Sequence, residues 1–240
     1  MTSTPEFTLV IACYNEERLL RDSVARIAAV LDSMRAGYEI VFVDDSSRDS
    51  TVSIIRDILE RHPAWTLIAH PKNQGRGSAV ADGIRAARAP IVGYIDIDLS
   101  TSPWYLPRLI AEVRDGADIA TAMRVYKLRP RTLFRWVLSK GYRFIMRLAL
   151  GCDLQDTETG CKVFNRERVL PVLDRIREMH WFWDTEIMAR SYVAGYRIAE
   201  IPTIFIREGS FTTVHVVRDT LDYLGNLVKF RAELRAMRRR

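Results

Sequence analysis

Four apolar, β-branched runs, each ending in polar residues and followed by a stretch of helix length, restrict the fold of this chain more than any other feature. Thr8-Leu-Val-Ile-Ala12, Tyr38-Glu-Ile-Val-Phe-Val43, Trp65 to Ala69 and Ile91-Val-Gly-Tyr-Ile95 have the length and side-chain type of buried strands. The spacing between them predicts a helix from about Glu17 to Met34, with Leu20, Val24, Ile27, Val30 and Leu31 on one face. A second is expected from about Ser50 to Arg61, which an Asp or Ser of Asp44-Asp45-Ser46-Ser47 could cap, and a third near Ser78 to Ala87. Such alternation implies an α/β fold: a mostly parallel central sheet with helices on both faces. Open sheets of this kind bind ligands beyond the C-terminal strand ends. Here all four ends are polar: Tyr14-Asn15-Glu16, Asp44-Asp45, Lys72-Asn73-Gln74 and Asp96-Ile97-Asp98. One polar strand end is ordinary, whereas four on one edge make a site.

The fourth end carries the most chemistry. Residues i and i+2 of an extended chain point the same way, so Asp96 and Asp98 are expected to aim two carboxylates at one point before Pro103 opens a helix-like segment. Paired carboxylates beside phosphates are a hard-oxygen seat for Mg²⁺ or Mn²⁺. A solvent-exposed polar strand exit is the other reading of Asp-x-Asp by itself. Gly75-x-Gly77 superficially matches the dinucleotide fingerprint, but that motif follows a first strand and this one follows the third, which argues against a nicotinamide-dependent dehydrogenase. These glycines instead let backbone approach a diphosphate or a sugar.

At 240 residues the chain suits one large domain or one domain with an elaborated end. A hydrophobic share of 48% is ample for a core, and the net charge of +6 is concentrated in residues 124–147 and in the terminal Arg235-Ala-Met-Arg-Arg-Arg240, suiting phosphate-bearing partners. The three cysteines form no C-x-x-C pair and the four histidines have no metal-ligand spacing, so a reduced, cytosolic setting is expected. No signal peptide and no run of about 20 apolar residues is evident. There is no internal repeat.

The order of motifs resembles the inverting family 2 glycosyltransferases of GT-A fold. Val10-Ile-Ala-Cys-Tyr-Asn-Glu16, Val43-Asp-Asp-Ser-Ser47, Asn73-Gln-Gly-Arg-Gly77 and Asp96-Ile-Asp98 carry the likeness. Asp156-Thr-Glu-Thr-Gly-Cys-Lys-Val-Phe164, His180-Trp-Phe-Trp-Asp-Thr-Glu186 and Ala194-Gly-Tyr-Arg-Ile-Ala-Glu-Ile-Pro202 resemble the dolichyl- or polyprenyl-phosphate sugar synthases in particular. The resemblance implies a catalytic domain over residues 1–213 and a basic amphipathic C-terminal helix over 214–240. It implies a nucleotide-sugar site of Ala12, Tyr14, Glu16, Asp44, Lys72, Gly75, Asp96, Ile97 and Asp98, with Asp96 and Asp98 placing the divalent metal and Asp98 its more direct ligand. Arg124, Arg135, Ser139, Lys162 and Arg207 would hold the lipid phosphate or the diphosphate; guanidinium forks suit bidentate phosphate contacts. Three positions depart from the family pattern. Ala12 stands where a proline is usual, Ser100 where a glutamine often follows the metal motif, and Gly209-Ser-Phe-Thr-Thr213 lacks the usual lysine.

The implied reaction is metal-dependent transfer of a hexose, of the GDP-mannose or UDP-glucose type, to a polyprenyl or dolichyl monophosphate. The alternative is a family 2 enzyme acting on a saccharide or small-molecule hydroxyl, and a non-catalytic domain serving a membrane protein is a third reading. A hydroxyl acceptor needs a general base, for which Asp184 and Glu186 are candidates, unless they hold the acceptor loop in place. A lipid monophosphate, with a second pKa near about 6, needs none; Arg124, Arg135, Lys140 and Lys162 suit it. Leu133 to Leu150 and Val216 to Arg240 interleave aromatic and basic residues at helical spacing, as interfacial helices at the cytoplasmic face of a membrane do, or as helices packed on the sheet do. An integral-membrane partner protein is compatible with that placement. Nucleic acid is not expected, because the acidic strand ends would repel its backbone.

Overall fold

The structure is a computed structural model and describes residues 4–125, 151–180, 182–205, 230, 231 and 233. A single seven-stranded sheet has the order β3-β2-β1-β4-β6-β5-β7. Its strands are β1 (Phe7–Cys13), β2 (Tyr38–Asp44), β3 (Thr66–Ala69), β4 (Ile91–Ile95), β5 (Ile119–Val125), β6 (Cys161–Asn165) and β7 (Ile198–Ile204). All neighbours run parallel except β6, which lies antiparallel between β4 and β5. The mostly parallel α/β sheet agrees with the GT-A expectation.

The described helices are α1 (Leu20–Ser33), α2 (Thr51–Arg61), α3 (Arg76–Ala86), α4 (Leu106–Arg114), α5 (Arg166–Leu173) and α6 (Trp183–Val193), with a 3₁₀ turn at Pro103–Tyr105 before α4. Strand alternation divides the core between the two faces. On β1, Phe7, Leu9 and Ile11 face Leu20, Val24, Ile27 and Leu31 of α1, together with α2 and α4. Val10, Val41 and Val43 face the opposite way, toward α3, α5 and α6. Predicted and observed elements differ mainly at their starts: α1 begins at Leu20 because Glu16 to Leu19 form a turn, and α3 begins two residues early, at Arg76. That earlier start brings Arg76 into the first turn of α3, beside the strand ends.

The C-terminal stretch is described at three residues, of which Phe230 and Glu233 pack on the domain. Phe230 is buried edge-to-face against Phe182, with ring centroids 5.8 Å apart, and Glu233 accepts from Arg190 at 3.1 Å. At Phe230 the apolar side therefore faces protein. Among the described residues no helix is long and apolar enough to cross a membrane.

Candidate active site

The loops after β1 and β2 are laced together by backbone amides donating to side chains. Asn15 N donates to Ser47 Oγ (2.9 Å), Glu16 N to Thr51 Oγ1 (2.8 Å) and Glu17 N to Asp49 Oδ2 (3.2 Å). In return Arg48 N donates to Asn15 Oδ1 at 2.8 Å and Ser50 N to Glu17 Oε2 at 3.0 Å. Asn15 (φ 58°) and Ser46 (φ 68°) take left-handed backbone to make these turns, a conformation that short polar side chains tolerate. The result is a rigid ledge carrying Tyr14, 45% exposed, above Asp44 at the end of β2. Asp44 is buried; its Oδ2 accepts from Ser47 N, while Oδ1 has no hydrogen-bond partner. A buried acceptor without a partner is unusual in a folded chain and suits a ligand hydroxyl or amide.

Asp45 builds the next loop. Its Oδ1 accepts from Gln74 N and its Oδ2 from Gly75 N, both at 2.8 Å, and His70 Nδ1 lies 2.8 Å from Oδ1. Gly75 sits at φ 98°, a region that costs little only for glycine, and a Cβ there would strike the His180 ring. Lys72, on the same loop, is exposed, and Ala12 is partly buried against the core.

At the fourth strand end the expected parallel aim of Asp96 and Asp98 is replaced by a turn. β4 stops at Ile95, Leu99 N donates back to Asp96 O at 3.1 Å and Leu99 takes φ 48°, so the alternation of an extended chain does not apply. Asp98 is exposed and accepts from Ser100 N (3.0 Å) and Ser100 Oγ (2.7 Å). Asp96 instead accepts on Oδ1 from Arg76 Nε (2.9 Å) and Nη2 (2.6 Å). Ile97 and Leu99 are buried in the core beneath the turn, so Ile97 can meet a nucleotide only through its backbone. The carboxylates nonetheless remain electrostatic neighbours. Burial, then Asp98, Asp96 and Asp49, push the Glu16 carboxyl up to about 7.

Behind this turn lies a buried network of charges. Tyr94 and Lys162 are directly opposite on the antiparallel β4–β6 ladder. Lys162 Nζ donates to Tyr94 Oη (2.9 Å), to Asp184 Oδ1 (2.9 Å) and to Thr159 O; Tyr94 Oη donates to Asp184 Oδ1. Arg76 Nη1 donates to Asp184 Oδ2 at 2.6 Å. Burial alone would raise the Asp184 carboxyl, but Arg76 and Lys162 hold it below the usual carboxylate range. Lys162, fully buried, is thus a partner of Asp184 and not the phosphate contact expected from the sequence. Glu186 is likewise engaged: it accepts from Arg177 N, from Glu178 N at 2.9 Å and from Arg190 Nε at 2.7 Å. Of the two readings offered for this acidic pair, the structure favours a holding role: Glu186 fixes the backbone at Arg177 and Glu178, and Asp184 ties Arg76 to Lys162.

Arg124, at the end of β5, forks onto Asp156 through Nε (2.6 Å) and Nη2 (2.7 Å), with Glu158 3.4 Å from Nη2. Arg135, Ser139, Lys140 and Arg207 lie outside the described residues. Sequence reading missed Arg76 and the buried pairing of Tyr94 with Lys162. The first was legible as a cation one residue past a glycine loop; the second needed the antiparallel register, which no local pattern reveals.

Among the described residues no three His, Cys, Asp or Glu side chains converge to hold a metal by themselves. Asp98 and its neighbours do fit a hard divalent cation that draws its other ligands from diphosphate and water: they are all-oxygen donors, and burial, with the nearby carboxylates, already pushes Glu16 toward its neutral form.

Comparison with known proteins agrees with this geometry. Residues 8–170 match the family described as Glycosyl transferase family 2. The chain is 33% identical over 221 residues to "Glycosyltransferase AglD" of Haloferax volcanii, covering 90% of this chain and 35% of that protein. It is 31% identical to a "Dolichol-phosphate mannosyltransferase" of Pyrococcus furiosus over 68% of this chain and 47% of that one. It is 24% identical to "Dolichyl-phosphate beta-glucosyltransferase ALG5C" of Trichomonas vaginalis over 95% and 72%. The chain therefore spans about a third to three quarters of the length of these relatives. A crystal structure of glucosyl-3-phosphoglycerate synthase from Mycobacterium tuberculosis in complex with uridine diphosphate shares the fold, with a TM-score of 0.69 at 18% identity over 95% of this chain and 80% of that one.

Proposed function

Because the chain belongs to glycosyl transferase family 2, we propose that it transfers a hexose, with inversion, from a nucleotide sugar to a polyprenyl or dolichyl monophosphate. The observation that carries the acceptor is the condition of Asp184 and Glu186. Both are buried, and both are held by cationic or amide donors. A hydroxyl acceptor requires a base free to take a proton, whereas a lipid monophosphate is already anionic at neutral pH. The names of the Pyrococcus and Trichomonas relatives, a dolichol-phosphate mannosyltransferase and a dolichyl-phosphate β-glucosyltransferase, support the same acceptor.

In this reading Tyr14 offers an aromatic face to the base, Glu16 and the unpartnered Asp44 Oδ1 accept from base or ribose, and the backbone at Ala12, Gly75 and Ile97 lines the donor beside Lys72. Asp98, with Asp96, holds Mg²⁺ or Mn²⁺, which when bound relieves charge on the departing nucleoside diphosphate. Arg124, Arg135, Ser139 and Arg207 position the acceptor phosphate and screen the diphosphate. The amphipathic stretch over 133–150 and the basic residues of 216–240, whose Phe230 packs on the domain, seat the chain on the cytoplasmic surface of a membrane, where an integral-membrane partner also docks.

Purified chain given labelled GDP-mannose, UDP-glucose and related donors decides the matter when polyprenyl monophosphate is offered beside the matching polyprenol. Label should enter the lipid only with the monophosphate. Transfer to polyprenol or to a saccharide hydroxyl, with none to the monophosphate, would refute the acceptor.

A further inference from the structure

Asp184 and Arg76 do more than fill a buried gap. Tyr94 and Asp96 lie two residues apart at the end of β4, and a ring of hydrogen bonds leaves one and returns to the other. It runs from Tyr94 Oη to Asp184 on α6, from Asp184 Oδ2 to Arg76 Nη1 on α3 at 2.6 Å, and from Arg76 Nε and Nη2 to Asp96 Oδ1 at 2.9 and 2.6 Å. Lys162 closes the charge balance, so that two cations face two carboxylates. On its other side Asp96 rests on Gly160: its amide donates to Gly160 O at 2.8 Å, and a Cβ on Gly160 would fall inside the carboxylate. Asp96 is thus held by Arg76 and by the Gly160 backbone, leaving Oδ2 without a guanidinium contact.

We infer that Arg76 and Asp184 are positioning residues for the divalent-cation site: they fix the Asp96 carboxylate and tie it to α6. The inference rests on the cation reading proposed above. A guanidinium fixes a carboxylate in this way because its planar fork holds several donors in set directions, which an ammonium does not. Groups that orient metal-binding carboxylates typically change metal affinity by about 10–100-fold when removed, whereas a purely structural salt bridge would change stability and leave metal affinity alone.

The test titrates the purified chain with Mn²⁺ alone, following free Mn²⁺ by electron paramagnetic resonance, with thermal melts to confirm folding. Arg76→Lys, which keeps the charge and loses the fork, and Asp184→Asn should each weaken Mn²⁺ binding about tenfold. The double variant should be no weaker than the worse single one, because both act through one arm. A folded Arg76→Lys that binds Mn²⁺ within about twofold of wild type would overturn the inference, as would single effects that add in full. Should Asp184→Asn fail to fold, Arg76→Lys decides by itself. If wild type binds Mn²⁺ no better than Asp98→Asn, the cation reading falls and this inference with it; if wild type binds and the arm variants bind equally well, only the inference falls.

Discussion

The two sides of the strand-end crevice are stiffened by different means. On the β1–β2 side, the ledge under Tyr14 is held by backbone amides donating to Ser47, Asp49 and Thr51, residues about thirty-five positions away at most. On the β4–β6 side, shape depends on side-chain charges that meet across 20 to 108 positions. Amide-to-hydroxyl bonds are individually modest, and losing one leaves the others in place. Buried ion pairs behave otherwise: they contribute little net stability when intact, but removing one member strands the rest. The β1–β2 side should therefore tolerate single changes and the β4–β6 side should not.

Lys162→Met is the most severe way to break that contrast. It leaves Asp184 buried with one cation fewer and should cost about 3 kcal/mol or more in urea unfolding. A loss under about 1 kcal/mol would mean that Arg76 and Tyr94 suffice, and the two sides would be alike. Asp98→Asn comes next, with an effect confined to chemistry. A neutral amide is a poor substitute for an anionic ligand, so turnover should fall about a hundred-fold or more with the melting temperature unchanged; turnover that survives excess chelator in the wild type would refute the metal dependence. Thr51→Val deletes the acceptor for Glu16 N and should cost about 1–2 kcal/mol by the same urea assay. If it proved as damaging as Lys162→Met, the ledge under Tyr14 would be as brittle as the ionic side.

The smallest effect sharpens the contrast through pH. The folded Glu16 carboxyl is pushed up to about 7 from 4.5 by burial and by Asp98, Asp96 and Asp49, so the folded chain holds that proton more tightly than the unfolded one. Its contribution to stability is fully present below about pH 4.5 and is lost as pH rises through about 7. Glu16→Gln should accordingly gain on wild type as thermal melts move from pH 5 to pH 8, and saturating Mn²⁺ should narrow the difference. A gap that stays constant with pH would remove Glu16 from the acidic cluster.

The same contrast explains what could be read from the sequence. β1, β2 and β4 and the helices between them follow local periodicity, and the polar residues after each strand fall on one edge because parallel strands share a direction. Asp98, Tyr14 and Asp44 were reachable on that basis. The relation of Asp96 to Asp98 was not, since it hinges on Leu99 entering the left-handed region at φ 48°. Lys162 is expected at the phosphate from the resemblance and its company of Arg124, Arg135 and Lys140; the placement of β6 antiparallel beside β4 buries it against Asp184. Arg135, Ser139 and Arg207 belong to stretches outside the described residues, and their roles rest on the resemblance.

The pairing of Tyr94 with Lys162 has a bearing on assembly of the sheet itself. β6 joins at the one place where the strand direction reverses, and its apolar neighbours Cys161, Val163 and Phe164 would accept more than one alignment on hydrophobicity alone. Slipping by one residue would carry Lys162 to the opposite face, into the aliphatic layer of α1 and α4, with no carboxylate to meet it. A one-residue misalignment is therefore penalised by a stranded ammonium, and the charge that orders the crevice also proofreads the strand that frames it.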